Sequence, residues 1–231
     1  MFLRKLTGVL AIAAIVVTIP VVLMLSNLYF LATPAFLRLE YGKAGFPEAP
    51  GFSGEERLQR AAATLLYLRS SQGVGALQQL TQNDEPLYNV REIIHLADVK
   101  WVMYWVFFVH AVALAILLLA FIYVLFRADL CAYLPVAVFW GCLALVVPLL
   151  GLGALAFINF DLFFITFHQL FFSGDTWLFS GSDSLIRLFP LPFWMDAATI
   201  WVVFAAGEAI LVAIAAYLWP GWKHGGRRAS R

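Results

Sequence analysis

Long uninterrupted apolar runs, rather than alternation or short amphipathic stretches, dominate this chain. Four are long enough to cross a bilayer: residues 6–31, 101–126, 133–157 and 193–219. About 20 residues at about 1.5 Å of rise each span a hydrocarbon core of roughly 30 Å. The first run carries no charge and holds Pro20, where a kink is expected. Arg4 and Lys5 precede it, as in a secretory signal. Its apolar stretch is too long for a signal sequence, however, and no clean small-x-small cleavage site follows, so it reads as an uncleaved anchor. Trp101, Tyr104, Trp105, Trp194, Tyr217, Trp219 and Trp222 gather near the ends of the runs, where aromatic belts form.

The polar stretches fall into two larger segments, 32–100 and 158–192. Within the first, Ser53-Gly54-Glu55-Glu56 fits a capping box, and Leu58, Ala61, Ala62, Leu65 and Leu68 recur behind it at helical spacing. Glu55, Arg57, Arg60 and Arg69 take the other faces. The pattern predicts an amphipathic helix over 54–69, a short turn over 75–80, and an irregular proline- and glycine-bearing stretch over 34–51. In the second segment, phenylalanines surround residues 159–172, which suits a helix lying in the lipid interface. The expected fold is an all-α integral membrane protein. One domain spans 1–231: a four-transmembrane-helix bundle with an extracytoplasmic helical cap and an interfacial amphipathic helix.

Composition supports a membrane protein. The chain is 63% hydrophobic and only 13% charged, with a mean hydropathy of +0.86, whereas soluble domains run to about half apolar and about a quarter charged. A net charge of +1, with no basic cluster interleaved with aromatics outside the termini, points away from nucleic acid. The placement of the charges says more than their sum. Arg4, Lys5, Arg127, Lys223, Arg227, Arg228 and Arg231 fall on one side if four helices alternate, and those segments are short. By the positive-inside rule that side is the cytoplasm, and both termini lie there. The two larger segments then lie outside. Cys131 and Cys142 are the only cysteines and form no C-x-x-C pair, which excludes a disulfide framework and a quinone-linked thiol oxidase.

Two stretches carry denser polar chemistry. In Leu87-Tyr88-Asn89-Val90-Arg91-Glu92-Ile93-Ile94-His95-Leu96-Ala97-Asp98-Val99-Lys100, residues Arg91, His95 and Asp98 share roughly 60° of helical arc at the head of the second run. In the second stretch Asp161 and His168 are seven apart and also align on a helix, with Asp175 following. Each histidine therefore has an acid at helical spacing, at one membrane face. Imidazole exchanges protons near neutral pH, and a carboxylate beside it sets tautomer and orientation. Taken singly, such features are usually a solvated charged face, lipid-facing phenylalanines or a structural histidine; their coincidence marks His95 and His168 as candidate acid and base. His110 and Glu208 lie inside the runs, where ionisable groups are costly: they are either functional or bonded to neighbouring backbone.

These same residues resemble a known family. Leu87-Tyr88-Asn89-x-Arg91-Glu92-x-x-His95-x-x-Asp98-Val99-Lys100 and Phe167-His168-x-x-Phe171-Phe172-Ser173-x-Asp175-x-Trp177 are similar to motifs of the lipoprotein intramolecular transacylase (Lit) family of bacterial membrane proteins. The resemblance extends over the whole length. It implies an acyltransferase of the bacterial cell membrane, needing no cofactor, whose partners are diacylglyceryl-modified lipoproteins and membrane lipids. The acyl chain would move from the sn-2 glycerol oxygen to the α-amino group of the N-terminal cysteine, giving an N-acyl lyso lipoprotein. The family's two essential histidines would correspond to His95 and His168. Tyr88 or Arg91 would donate to the oxyanion, and Glu92, Asp98, Asp161 and Asp175 would support or orient. Two other readings use the same residues: a bis-histidine haem protein on His95 and His168, which an absorbance spectrum tests, and a non-enzymatic assembly factor, in which either histidine is dispensable.

Overall fold

A computed structural model describes residues 2–219; Trp222 and the basic residues Lys223, Arg227, Arg228 and Arg231 lie outside the described residues. Contacts group the chain into two compact units. Among the described residues, the first comprises 2–27, 107–154 and 201–219, and the second comprises 28–106 and 155–200.

The first unit holds α1 (Phe2–Ser26), most of α6 (Val90–Leu125), α7 (Ala128–Cys131), most of α8 (Leu134–Ile158) and much of α11 (Leu191–Leu218). Four helical stretches, Phe2–Leu31, Val90–Leu125, Leu134–Ile158 and Leu191–Leu218, are long and apolar enough to cross a membrane. Much of their surface is the reverse of a soluble helix, with large apolar side chains such as Leu119, Val147 and Leu211 exposed. Lipid satisfies such a surface, so what must be buried is the contact between helices, and small residues set it. At Gly141 an added Cβ would sit 3.0 Å from Ile19 Cβ, so α1 and α8 meet closely enough that a larger residue there would push Ile19 aside by a few tenths of an ångström. Ala137, Ala205 and Ala209 are buried in the same cluster, with Ile15, Ile19 and Leu145. His110 and Glu208, inside the runs, have partners at the end of α1. Glu208 accepts from Asn27 Nδ2 at 3.1 Å, and His110 Nε2 meets Ser26 Oγ at 3.0 Å. Adjacent residues of the first span thus engage these groups, the partner arrangement a polar group needs in lipid. Helix α1 continues through Pro20.

The second unit is built on α4 (Gly54–Arg69), whose bounds and capping box are those the pattern predicts: Ser53 Oγ accepts from Glu56 N, and Glu56 returns the bond to Ser53 N at 2.8 Å. One face differs. Arg57 is buried, not solvated; its Nη1 donates to Pro47 O at 2.6 Å and its guanidinium stacks 4.4 Å from the Tyr41 ring. A guanidinium can be covered in this way where carbonyls and π faces take its charge. After the single turn α2 (Leu28–Leu31), the stretch expected to be irregular begins as a helix, α3 (Pro34–Tyr41), with Pro34 at its first position and Thr33 capping Phe36 N. Proline is favourable there, because its missing N–H has no partner to lose. After α5 (Gly75–Gln78), Thr81–Gln82 (β1) and Glu85–Pro86 (β2) pair antiparallel about Asn83 and Asp84, both at positive φ. That is the two-residue turn asparagine and aspartate favour. Phe36, Leu37, Leu65, Leu77, Leu188 and Phe193 form the core of this unit.

Candidate active site

Helix α6 runs 36 residues, about 54 Å at about 1.5 Å per residue, well beyond the roughly 30 Å of a hydrocarbon core. Its first turns, ahead of the apolar run that starts at Trp101, carry the polar motif. Asn89 and Glu92 cap this end reciprocally: Asn89 Oδ1 accepts from Glu92 N at 3.0 Å, and Glu92 Oε2 accepts from Asn89 N at 2.8 Å. One turn on, His95 is buried, only 6% exposed.

His168 comes from α9 (Phe160–Phe171), which Asn159 caps through Leu162 N at 2.9 Å. The helix has no fully buried residue and exposes Leu162, Ile165, Phe167 and Leu170. Phe160, Phe163, Phe164 and His168 are its half-buried residues. Both histidines belong to the second unit, and they meet: their ring centroids are 6.1 Å apart and their planes 23° from parallel. Aromatic rings enclose the pair. Phe172 lies 4.9 Å from His95 and 5.6 Å from His168; Phe179 stands edge-on to His95 at 5.3 Å; Trp177 lies 5.0 Å and Phe164 4.0 Å from His168. Gly174, at φ 70°, makes the turn that brings Trp177 back, and the indole N–H bonds Gly174 O at 3.0 Å.

The ring nitrogens differ. His168 Nδ1 lies 2.8 Å from Phe164 O. A carbonyl only accepts, so Nδ1 carries the proton and the neutral ring presents a lone pair at Nε2. His95 Nδ1 is buried with no partner among the described residues, a costly arrangement unless another molecule completes it. Burial lowers the pKa of His168 below its ordinary value, with the Phe164 carbonyl opposing that in part.

The other expected site residues divide sharply. Tyr88 is buried and its hydroxyl is 2.6 Å from Thr64 Oγ1; burial holds this phenol protonated. Arg91 pairs with Asp183 at 3.3 Å and lies 5.7 Å over Phe179. Glu92 is 1% exposed and accepts from Leu185 N at 2.6 Å, tying the start of α10 (Ser184–Leu188) to α6. Asp98, Asp161 and Asp175 are exposed. Among the described residues no hydrogen bond or ion pair joins any of them to a histidine; the group orienting His168 is a backbone carbonyl. Asp175 O accepts from Leu178 N in the turn after Gly174.

Sequence reasoning missed the enclosure and its fastening. Asp183 collects Asn89 Nδ2 at 3.0 Å, Arg91 Nη2 at 3.3 Å and Ser180 N at 2.7 Å, and so holds the chain beside Phe179 against the head of α6. Asn89-x-x-Glu92 was legible as a capping box by the rule that located Ser53, but Phe179 and Asp183 reach the site only through tertiary contact.

Comparison with known proteins identifies the family. The sequence profile of the lipoprotein intramolecular transacylase Lit family matches residues 11–194. An uncharacterized protein of Aquifex aeolicus (strain VF5) is 31% identical over 179 residues, covering 77% of this chain and 79% of that one. The in meso structure of the membrane-integral lipoprotein intramolecular transacylase Lit from Bacillus cereus superposes with a TM-score of 0.71 at 20% identity, covering 99% of this chain and 98% of that one. A form of the same protein carrying a histidine-to-arginine mutation gives 0.66 at 19%, covering 100% and 97%. The chain therefore belongs to the lipoprotein intramolecular transacylase family, multi-pass membrane acyltransferases that act on lipoproteins.

Proposed function

We propose that this enzyme moves the sn-2 acyl chain of a diacylglyceryl-modified lipoprotein to the α-amino group of its N-terminal cysteine, with His168 as base and His95 as acid. The observation that carries the reading is the stacked imidazole pair in one aromatic enclosure, each ring keeping a nitrogen for substrate. An α-ammonium with a pKa of about 8 is not nucleophilic at neutral pH. The Nε2 lone pair of His168 takes its proton. The freed amine attacks the ester carbonyl, the N–C bond forms, and the glycerol C–O bond breaks. Starting from the ammonium, two protons leave nitrogen: one is relayed through His95 to the glycerol oxygen, and the other, taken by His168, passes to solvent. General acid–base help of this kind is worth about 10²–10⁴-fold. Because nucleophile and ester belong to one molecule, binding need only fold the substrate into near-attack geometry. No enzyme nucleophile is required.

The site is assigned to the extracytoplasmic face, with both termini in the cytoplasm. Charge pairing supports this, since Asp129 lies 3.7 Å from Arg4 and 2.8 Å from Arg127, so the basic ends of the first two spans share a side. From His95, α6 continues to Leu125, roughly 45 Å of helical rise and enough to cross the core.

The test is mass spectrometry of a lipoprotein N-terminus from cells lacking their own N-acylating enzyme, with and without this protein. N-acyl lyso product is expected with the wild type and not with His95→Asn or His168→Asn. An unchanged diacylglyceryl-cysteine in wild-type cells would refute the reading.

A further inference from the structure

A base able to deprotonate an ammonium can equally activate water, which is abundant, small and a competent attacker of the same ester. The outcome then depends on whether water reaches the histidine pair, and the wall that decides this is specific. Phe172 and Trp177 are buried, whereas Phe179, two residues after Trp177, is only partly buried. Its ring stands T-shaped to His95 at 5.3 Å, and the Arg91 guanidinium lies 5.7 Å over it. Arg91 is in turn held by Asp183, whose carboxylate also grips Asn89 Nδ2 and Ser180 N, the residue next to Phe179. Of these three donors, Ser180 N adjoins Phe179 in the chain and Arg91 lies over its ring.

From this geometry we infer that Phe179, clamped by Asp183 and Arg91, is a water-excluding wall over the histidine pair, and that without it the enzyme becomes an acyl hydrolase of the same substrate. In that latent activity water attacks the acyl carbonyl in place of the amine. The C–O bond to glycerol breaks, the glycerol oxygen takes the proton, and a free fatty acid leaves beside a lyso lipoprotein with an unmodified amine. Phe179 and Asp183 act here through the site and touch no reacting atom; they set specificity and position. The inference rests on the proposed transfer reaction.

The experiment incubates the full-length enzyme in detergent with a diacylglyceryl-modified lipopeptide and measures N-acyl product and released fatty acid together. The wild type should give N-acyl product almost alone. Phe179→Ala should raise the ratio of hydrolysis to transfer roughly tenfold or more, because the excluded-water condition is lost. Phe179→Leu, which keeps apolar cover, should restore most of the ratio. Asp183→Asn should move it in the same direction as Phe179→Ala and by less, since the ring remains. Opening the pair to water also relieves desolvation, so the acid limb of the transfer rate should move to higher pH in Phe179→Ala. A purely structural role would lower both products together at constant ratio, and that result overturns the inference while leaving the transfer reaction standing. A wild type that makes no N-acyl product at all overturns the transfer reaction and this inference with it.

Discussion

Removing the Glu92 carboxylate tests whether this residue ties the fold together or takes part in the reaction. Its two oxygens accept from Leu185 N at 2.6 Å and Asn89 N at 2.8 Å, and the side chain is 1% exposed. In Glu92→Ala the Leu185 amide stays buried without an acceptor, which costs about 1–3 kcal/mol. Asn89 N is at the surface and regains water, so its loss is that of a helix cap, about 1 kcal/mol. Together these predict a loss of about 2–4 kcal/mol, and at roughly 2–4 °C per kcal/mol for a chain of this size the Tm should fall by about 4–16 °C. Glu92→Gln keeps one carbonyl oxygen for Leu185 N but turns its amide N–H groups toward Asn89 N, so its loss should be about half as large. The assay is thermal unfolding of purified protein in detergent, followed by tryptophan fluorescence, with product formation measured well below Tm. The reasoning predicts that Glu92→Gln is less stable yet active. A variant of unchanged Tm and no activity would refute it, and would put Glu92 in the chemistry.

The remaining predictions concern the histidines, the acids and the topology. His95→Asn and His168→Asn should each lower transfer by at least about 100-fold while the protein still folds, whereas Cys131→Ala with Cys142→Ala together should leave it nearly intact; a thiol-dependent rate would contradict direct transfer. Ser173→Ala should remain active, and an acyl group trapped on Ser173 would replace the direct mechanism with a covalent one. Asp98→Asn and Asp161→Asn should stay within a few-fold of wild type, since both carboxylates are exposed; a loss comparable to that of the histidine variants would mean that a carboxylate engages an imidazole during turnover. Because burial lowers the His168 pKa, the unfolded chain binds this proton more readily than the folded one. The stability this group contributes is therefore intact above about pH 6.5 and lost as pH falls through the depressed folded value. Unfolding midpoints between pH 5 and 8 should fall less steeply on the acid side in His168→Asn than in wild type, and equal slopes would count against the assignment. Reporter fusions after Arg127 should report cytoplasm and those near Gly73 and Ser182 the outside; a cytoplasmic signal at Gly73 would move the site to the other face.

Much of this protein follows from local rules that a sequence expresses directly. The four spans are legible because apolar length is an intrinsic property of a segment, and lipid imposes the same requirement on each one. Helix α4 is legible because its cap, Ser53 with Glu56, and its apolar spacing lie within a few turns of one another. His95 and His168 stand out because imidazole is rare and each sits in a short polar motif. What only the tertiary structure decided is which groups meet. On one helix, spacing places Asp98 near His95 and Asp161 near His168, yet shared arc does not make contact. The carboxylates stay exposed, whereas backbone Phe164 O accepts the hydrogen bond that His168 Nδ1–H donates. Arg57 reads as a solvated charge by periodicity and is buried because Pro47 O, Leu188 O and the Tyr41 ring, all distant in sequence, surround it. Phe179 and Asp183 carry no local signal at all. Their place at the site depends on Glu92 holding α10 from 93 residues away, and a bond of that span is a property of the folded chain and of no segment within it.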